Sequence, residues 1–221
     1  MNEKIHINSF LKFGEEKNIF DLYENGTIYM NSIQYFRQIE DNDLRGDSYE
    51  GVSMIRNYEP GEFEIPNFNF KGKHLGIHLK ESYEKIFGNI YSLYCISSHG
   101  WDNPEEFIID SKIKKFGNQC LMIKDVKKFI NLVENKARKL DLDIKSGFVN
   151  YYDKNKVNRK ITLFEKPLEF EYQKEFRFYV ARKSVEPIKF TIGSLKNIAE
   201  LFPCETTVDT LRLKRNIKNY R

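Results

Sequence analysis

Apolar residues recur along this chain with two different periods. In 9-SFLKFG-14 they cluster as in a short buried strand, whereas in 15-EEKNIFDLYENG-26 they return at helical spacing. Ile19, Leu22 and Tyr23 there share one helical face, and Gly26 supplies a C-terminal stop. A β-rich stretch, 27-TIYMNSI-33, follows, and 34-QYFRQIE-40 reads as one or two helical turns. Two prolines, two glycines and several aromatics make 57–72 a loop or hairpin excursion. Strands are expected at 74-HLGIHLK-80 and 90-IYSLYCIS-97; the second is almost continuously apolar, as a strand buried on both faces requires.

The pattern changes period again after 117-GNQCLMIK-124. Val126, Phe129, Ile130, Val133, Ala137 and Leu140 keep helical spacing behind Asp125, a residue type that caps helix N-termini, so a helix is predicted to about Leu142. Strands are predicted at 146-SGFVNYYD-153, 175-EFRFYVARK-183 and 186-EPIKFTIGS-194, and a short capped helix at 194-SLKNIAELF-202. With no internal repeat or linker, the expectation is one mixed α+β domain over 1–221, of about eight strands, ending in the basic tail 212-RLKRNIKNYR-221. Such a tail could hold phosphates or simply be solvated.

Composition narrows the class. The chain is 40% hydrophobic and 14% aromatic, ample for a core without disulfide or metal staples. Cys95, Cys120 and Cys204 are isolated and odd in number, against a zinc ribbon or disulfide scaffold. No secretory signal and no run of apolar residues long enough to span a membrane is visible, so a cytoplasmic protein without membrane contact is expected. A net charge of +4 does not by itself mark a nucleic-acid binder.

Three regions carry candidate chemistry. In 36-FRQIEDNDLRGDSYEG-51, Glu40, Asp41, Asp43, Asp47 and Glu50 invite a metal reading. As a calcium loop it fails, because Arg45 takes a ligand position and Val52 stands where a bidentate glutamate is needed. A magnesium-dependent nuclease site on Asp41, Asp43, Asp47 and Glu50 stays open, as does a polar loop in which Arg45 pairs with Asp47. His74 and His78 share a face but lack a metalloprotease helix, while His6 and His99 stand alone; His99, just beyond the buried strand, could line a pocket. Neither a GxSxG serine nor a phosphate-binding glycine loop occurs. The third region, 170-FEYQKEFRFYV-180, threads Gln173, Glu175 and Arg177 through aromatics. If extended, it turns Gln173 and Glu175 to one side, an amide beside a carboxylate, as an exposed edge strand or a catalytic lip.

Strand 9–14, a helix ending in ENG, and strand 27–33 resemble the opening of the ADP-ribosyltransferase-like fold, whose sheet is strongly curved or split with flanking helices. In the arginine–serine–glutamate branch of that fold, 90-IYSLYCISSH-99 resembles the strand ending in the serine motif, with Ser97 and Ser98 at the matching positions. Gln173-x-Glu175 resembles the late Gln/Glu-x-Glu motif. A group of uncharacterised bacterial proteins is also similar, through 35-YFRQIEDNDLRGDSYEG-51, 172-YQKEFR-177 and 192-IGSLKNIA-199.

The enzyme resemblance implies NAD+ as donor substrate and a nucleic-acid or protein acceptor, in a toxin or phage-defence component that an antitoxin could partner. It implies that Glu175 holds the ribose and stabilises an oxocarbenium-like cation, that Ser97 or Ser98 positions Glu175 or the ribose, and that Gln173 engages the acceptor. Tyr94, Tyr35 or Phe36 would stack on nicotinamide. The donor-gripping position of the first strand is Lys12 here, with His6 and Arg37 nearby. A metal-dependent nuclease and a non-catalytic nucleotide- or nucleic-acid-binding module remain the alternatives.

Overall fold

The computed structural model describes residues 6–39, 46–82, 86–98 and 107–213. Glu40, Asp41, Asp43, Arg45, His99 and the end of the basic tail lie outside them. The chain opens with β1 (Ile7–Gly14), α1 (Glu16–Asn25), β2 (Thr27–Ser32) and α2 (Ile33–Gln38). Gly26 closes α1 with φ 64°, its N–H donating to Leu22, as the sequence predicted. Next come β3 (Val52–Tyr58), β4 (Gly61–Ile65), β5 (Phe70–His74) and β6 (Ile77–Ser82), which form two successive antiparallel pairs, β3–β6 and β4–β5. They are the hairpin excursion expected around 57–72. Beyond them lie β7 (Gly88–Ser97), β8 (Gln119–Ile123), α3 (Val126–Lys139), β9 (Ile144–Phe148), β10 (Asn150–Tyr152), β11 (Arg159–Lys160) and β12 (Glu165–Pro167). The chain finishes with β13 (Glu175–Ala181), β14 (Ile188–Thr191), β15 (Ala199–Pro203) and α4 (Cys204–Thr210). The architecture is mixed α+β with largely antiparallel sheets. No described helix is long and apolar enough to cross a membrane.

The main sheet has eight strands, with β7 at its centre. Because β7 lacks a polar stripe, both its faces carry core. Phe10, Leu93, Phe129, Val133, Phe176 and Phe178 pack on the side covered by α1 and α3, and Leu11, Phe13, Tyr94, Ile96 and Phe107 on the other. Helix α3 seats itself by Phe129, Val133 and Ala137, all fully buried, at the spacing read from the sequence. Each large apolar side chain so buried contributes roughly 1.5–3 kcal/mol. Asp125 caps the helix by accepting from the Lys128 N–H at 3.0 Å.

Two expectations need correction. Residues 194–202 do not make a helix: one turn ends at Ile198, and Ala199–Pro203 then pairs antiparallel with β8. Leu195, Ile198 and Ala199 are buried by that pairing, so a helix-compatible spacing is overridden by an open sheet edge. Nor is 170–174 extended. Leu168–Gln173 is a 3-10 turn and Lys174 sits in the left-handed region, φ 40°, before β13 begins at Glu175.

One feature of the pairing positions the site. Along one edge of β7, β13 pairs from Glu175↔Tyr94 to Ala181↔Gly88. The opposite edge is shared: β1 holds it from Leu11↔Tyr94 to Ile7↔Ser97, and β2 holds it only at Asn31↔Ile90 and Ser32↔Asn89. Among the described residues, Tyr91, Ser92 and Leu93 have no strand partner on that edge. The two strands, joined by α1, therefore diverge from a common neighbour and leave a wedge between them.

Candidate functional site

The wedge is a cavity of about 530 Å³, within the range of small-molecule and cofactor sites. Its walls come from both sheet faces, since Tyr91 and Leu93 alternate with Ile90, Ser92 and Tyr94 along β7. Strand β1 contributes Lys12, α1 contributes Asn18 and Ile19, and β2 contributes Tyr29 and Asn31. The wall away from β1 and β2 is charged and is built from Glu50, Lys166, Gln173, Glu175 and Arg177.

Those five residues form one buried network. Lys166 of β12 donates to Gln173 Oε1 and Glu175 Oε1, both at 2.8 Å. Arg177 grips Glu50 with two parallel bonds of 2.9 and 3.0 Å, and reaches Glu175 Oε2 at 3.2 Å. The Ser92 hydroxyl donates to the Glu175 carboxylate, and the Glu175 N–H donates to the Tyr151 hydroxyl at 2.9 Å. Arg177 is only 1% exposed. Gln173 and Glu175 thus lie together, but Lys166 joins them, not a shared side of an extended strand.

Electrostatics follow from this crowding. Burial pushes the Glu175 carboxyl up, but Lys166 and Arg177 overcome it and hold the group at about 2. Burial likewise opposes the Arg177 charge, yet Glu50 and Glu175 raise its pKa overall. Asp47 is the exception: burial and Glu50 push it to about 6 against the pull of Lys166 and Arg177. Its Oδ1 accepts from the Tyr49 N–H at 2.8 Å, while its buried Oδ2 has no hydrogen-bond partner among the described residues.

These shifts act in separate pH windows. Asp47 binds its proton more tightly folded than unfolded, so it adds stability as pH falls from about 6 toward 3.8 and withdraws it as pH rises. Glu175 has the opposite sign: its stabilisation is complete above 4.5 and is lost as pH falls toward about 2. Asp47→Asn, which keeps the acceptor for Tyr49, should therefore raise the melting temperature near neutral pH, by the equivalent of roughly 2–3 kcal/mol. Between about pH 6 and 4 its melting temperature should be flatter than the parent's; parallel profiles would refute this account of Asp47.

The other sequence candidates distribute unevenly. Lys12 lines the cavity, donating to the Ser92 carbonyl at 2.7 Å with its ammonium 4.4 Å over the Tyr91 ring. Tyr94 also lines it, buried edge-on against Phe13 and Phe107. Phe36 reaches the wall, whereas Tyr35, 42% exposed, is not part of it. Arg37 is engaged with the carbonyls of Glu50 and Gly51 and does not line the cavity. Ser97 is buried against the Cys95 thiol, and the Ser98 hydroxyl accepts from the His6 N–H at 3.0 Å. Neither serine borders the cavity; the serine at the Glu175 carboxylate is Ser92, one strand pair away.

Lys166, Ser92 and Tyr91 were not singled out from sequence. The Tyr91 hydroxyl is buried without a hydrogen-bond partner among the described residues, in the cavity wall. Arg177 carries a usable signal, because residues two apart on a strand share a face, which sets it beside Glu175. Lys166, in 165-EKP-167, carries none. No protein-family model, curated protein or solved structure matches this chain.

Proposed function

We propose that the chain is an ADP-ribosyltransferase-like enzyme that takes NAD+ as donor substrate in the wedge between β1 and β2. The observation that carries this reading is that Glu175 and Gln173 stand in the wall of a cavity opened by two strands diverging from β7. Glu175 is ionised at any physiological pH, the form that stabilises a developing ribosyl cation. Ser92 and Lys166 hold its carboxylate in one orientation. Lys12 brings positive charge to the β1 wall, suited to a diphosphate, though as a point charge without a guanidinium's fork. Tyr91 and Tyr94 supply aromatic surface for a planar base.

In the reaction the bond between ribose C1′ and the nicotinamide nitrogen breaks, nicotinamide leaves with the electron pair, and an acceptor nucleophile bonds to C1′. Gln173, joined to Glu175 through Lys166, is the residue this reading assigns to the acceptor. The acceptor is a nucleic acid or a protein.

The test is to incubate the protein with NAD+ labelled in the adenylate and separate pools of DNA, RNA and protein. Label should appear in one pool, with nicotinamide release falling at least ~100-fold in Glu175→Ala. Undiminished transfer by that variant would sink the role of Glu175.

A second reading rests on the same contacts. Lys166 and Arg177 already offset the Glu175 charge, which suits a module that binds a nucleotide without turning it over. That module would be stabilised against heat by ADP-ribose while releasing no nicotinamide. The metal-nuclease reading gains no support from Glu50, since both its carboxylate oxygens accept from Arg177.

A further inference from the structure

Strands β3 to β6 make an arm whose outer half, β4–β5, packs extensively on no other element among the described residues. The pairing register splits this hairpin into two unlike faces. Glu62 faces Lys73 and Glu64 faces Lys71 on one of them, at 3.8 and 3.5 Å. The other carries Phe63, Ile65 and Phe70, and Phe63 lies across Gly72, where a Cβ would come within 2.5 Å of its ring. Phe68 at the turn is 80% exposed. A two-stranded hairpin with an uncovered apolar face is marginally stable in water at best.

The inner half is also apolar in water. Tyr58, Ile77 and Leu79 are each more than 40% exposed, and Leu75, between the halves, is 96% exposed. Taking ~200 Å² for a fully exposed aromatic and somewhat less for an aliphatic, the arm leaves on the order of 800 Å² of large apolar side chain in solvent. Covered by one partner, that area would match the ~800 Å² each side gives to a specific interface.

We propose that this arm is a dimerisation element whose apolar surface packs against the same surface of a second copy of the chain. The charge distribution favours this occupant. The chain carries +4 overall, so two copies repel, but the outer hairpin cancels its own charge in cross-strand pairs. A strongly charged partner would find no excess of either sign on it to read. Shape points the same way. The apolar side chains run along both halves, Phe63, Ile65 and Phe70 on the outer pair and Tyr58, Ile77 and Leu79 on the inner, and the ribbon bends between them at Pro60 and Leu75. A partner covering both must follow the ribbon across that bend, as a second ribbon of the same shape does and a flat groove does not. In a twofold pairing the outer half of each arm covers the inner half of its mate.

Sedimentation velocity on the full chain from about 1 to 100 µM decides the matter, alongside Ile65→Ser/Phe68→Ser and Leu75→Ser. The parent should be a dimer at the upper end, and each variant should raise the dissociation constant by roughly tenfold or more with an unchanged monomer fold by circular dichroism. Leu75 is almost wholly solvent-exposed, so its replacement cannot act by unfolding the arm. A parent that stays monomeric across the range overturns the proposal, as does a dimer that both variants leave intact. A monomeric parent that pellets with phosphatidylcholine vesicles also overturns it, and gives the arm to a lipid surface.

Discussion

Arg177→Met should lose about 3–5 kcal/mol of folding stability, the cost of removing one partner from a buried ion pair. For a chain of this size that is a fall of roughly 6–20 °C in melting temperature. Methionine fits the volume, so the loss comes from charge. Glu50 would remain buried without its ion-pair partner, Glu175 would keep only Lys166, and Asp47 lies close by. Arg177→Lys restores the charge but not the two parallel bonds to Glu50, and should recover only part of the loss. Arg177→Met combined with Glu50→Met removes charge of both signs and should be more stable than Arg177→Met alone. A single Arg177→Met variant as stable as the parent in a urea melt would show that the network contributes nothing to the fold.

The second large effect is expected far from any charge. Gly117 precedes β8 with φ 149°, and a Cβ built there would lie 2.1 Å from the Gly14 carbonyl carbon and 2.4 Å from the Glu15 nitrogen. These are backbone atoms of the turn from β1 into α1, and they cannot yield as the end of a side chain can. Gly117→Ala should therefore cost about 3 kcal/mol or more, through clash and backbone conformation together. Gly14 and Glu15 also line the cavity, so on the proposed reading NAD+ affinity should fall in whatever fraction still folds. Gly193→Ala is the matching control: φ is 89°, but nothing lies within 4 Å of the new Cβ, so about 1 kcal/mol is expected. Equal melting temperatures for the two variants would refute the steric account.

The sequence is informative wherever local physics decides. The spacing in α3, its Asp125 cap, the Gly26 stop and the unbroken apolar run of β7 are all short-range signals, and the fold keeps each. At 194–202 the sequence misleads, because Leu195, Ile198 and Ala199 suit a helix and a strand end alike, and only the open edge of β8 chooses. The site was half legible. Gln173 and Glu175 stand out as polar residues among aromatics, and Glu50 as part of an acidic run. Their connection through Lys166 and Arg177 is invisible, because it joins positions up to 127 residues apart. The serine motif drew attention to the end of β7, while the contact to Glu175 is made by Ser92 in the middle of that strand.

That separation has a consequence for the chain as it is synthesised. Strands β1 and β2 are made early and β7 near the middle, but the charged wall needs β13, which closes on β7 only after residue 181 has emerged. Until then Glu50 has no Arg177 to neutralise it, and the wedge has one side. A nascent chain that stops short of β13 accordingly lacks the charged wall, and so does a translation product truncated before it. If the pocket does chemistry that is harmful to its own cell, the order of synthesis withholds it until β13 has been made.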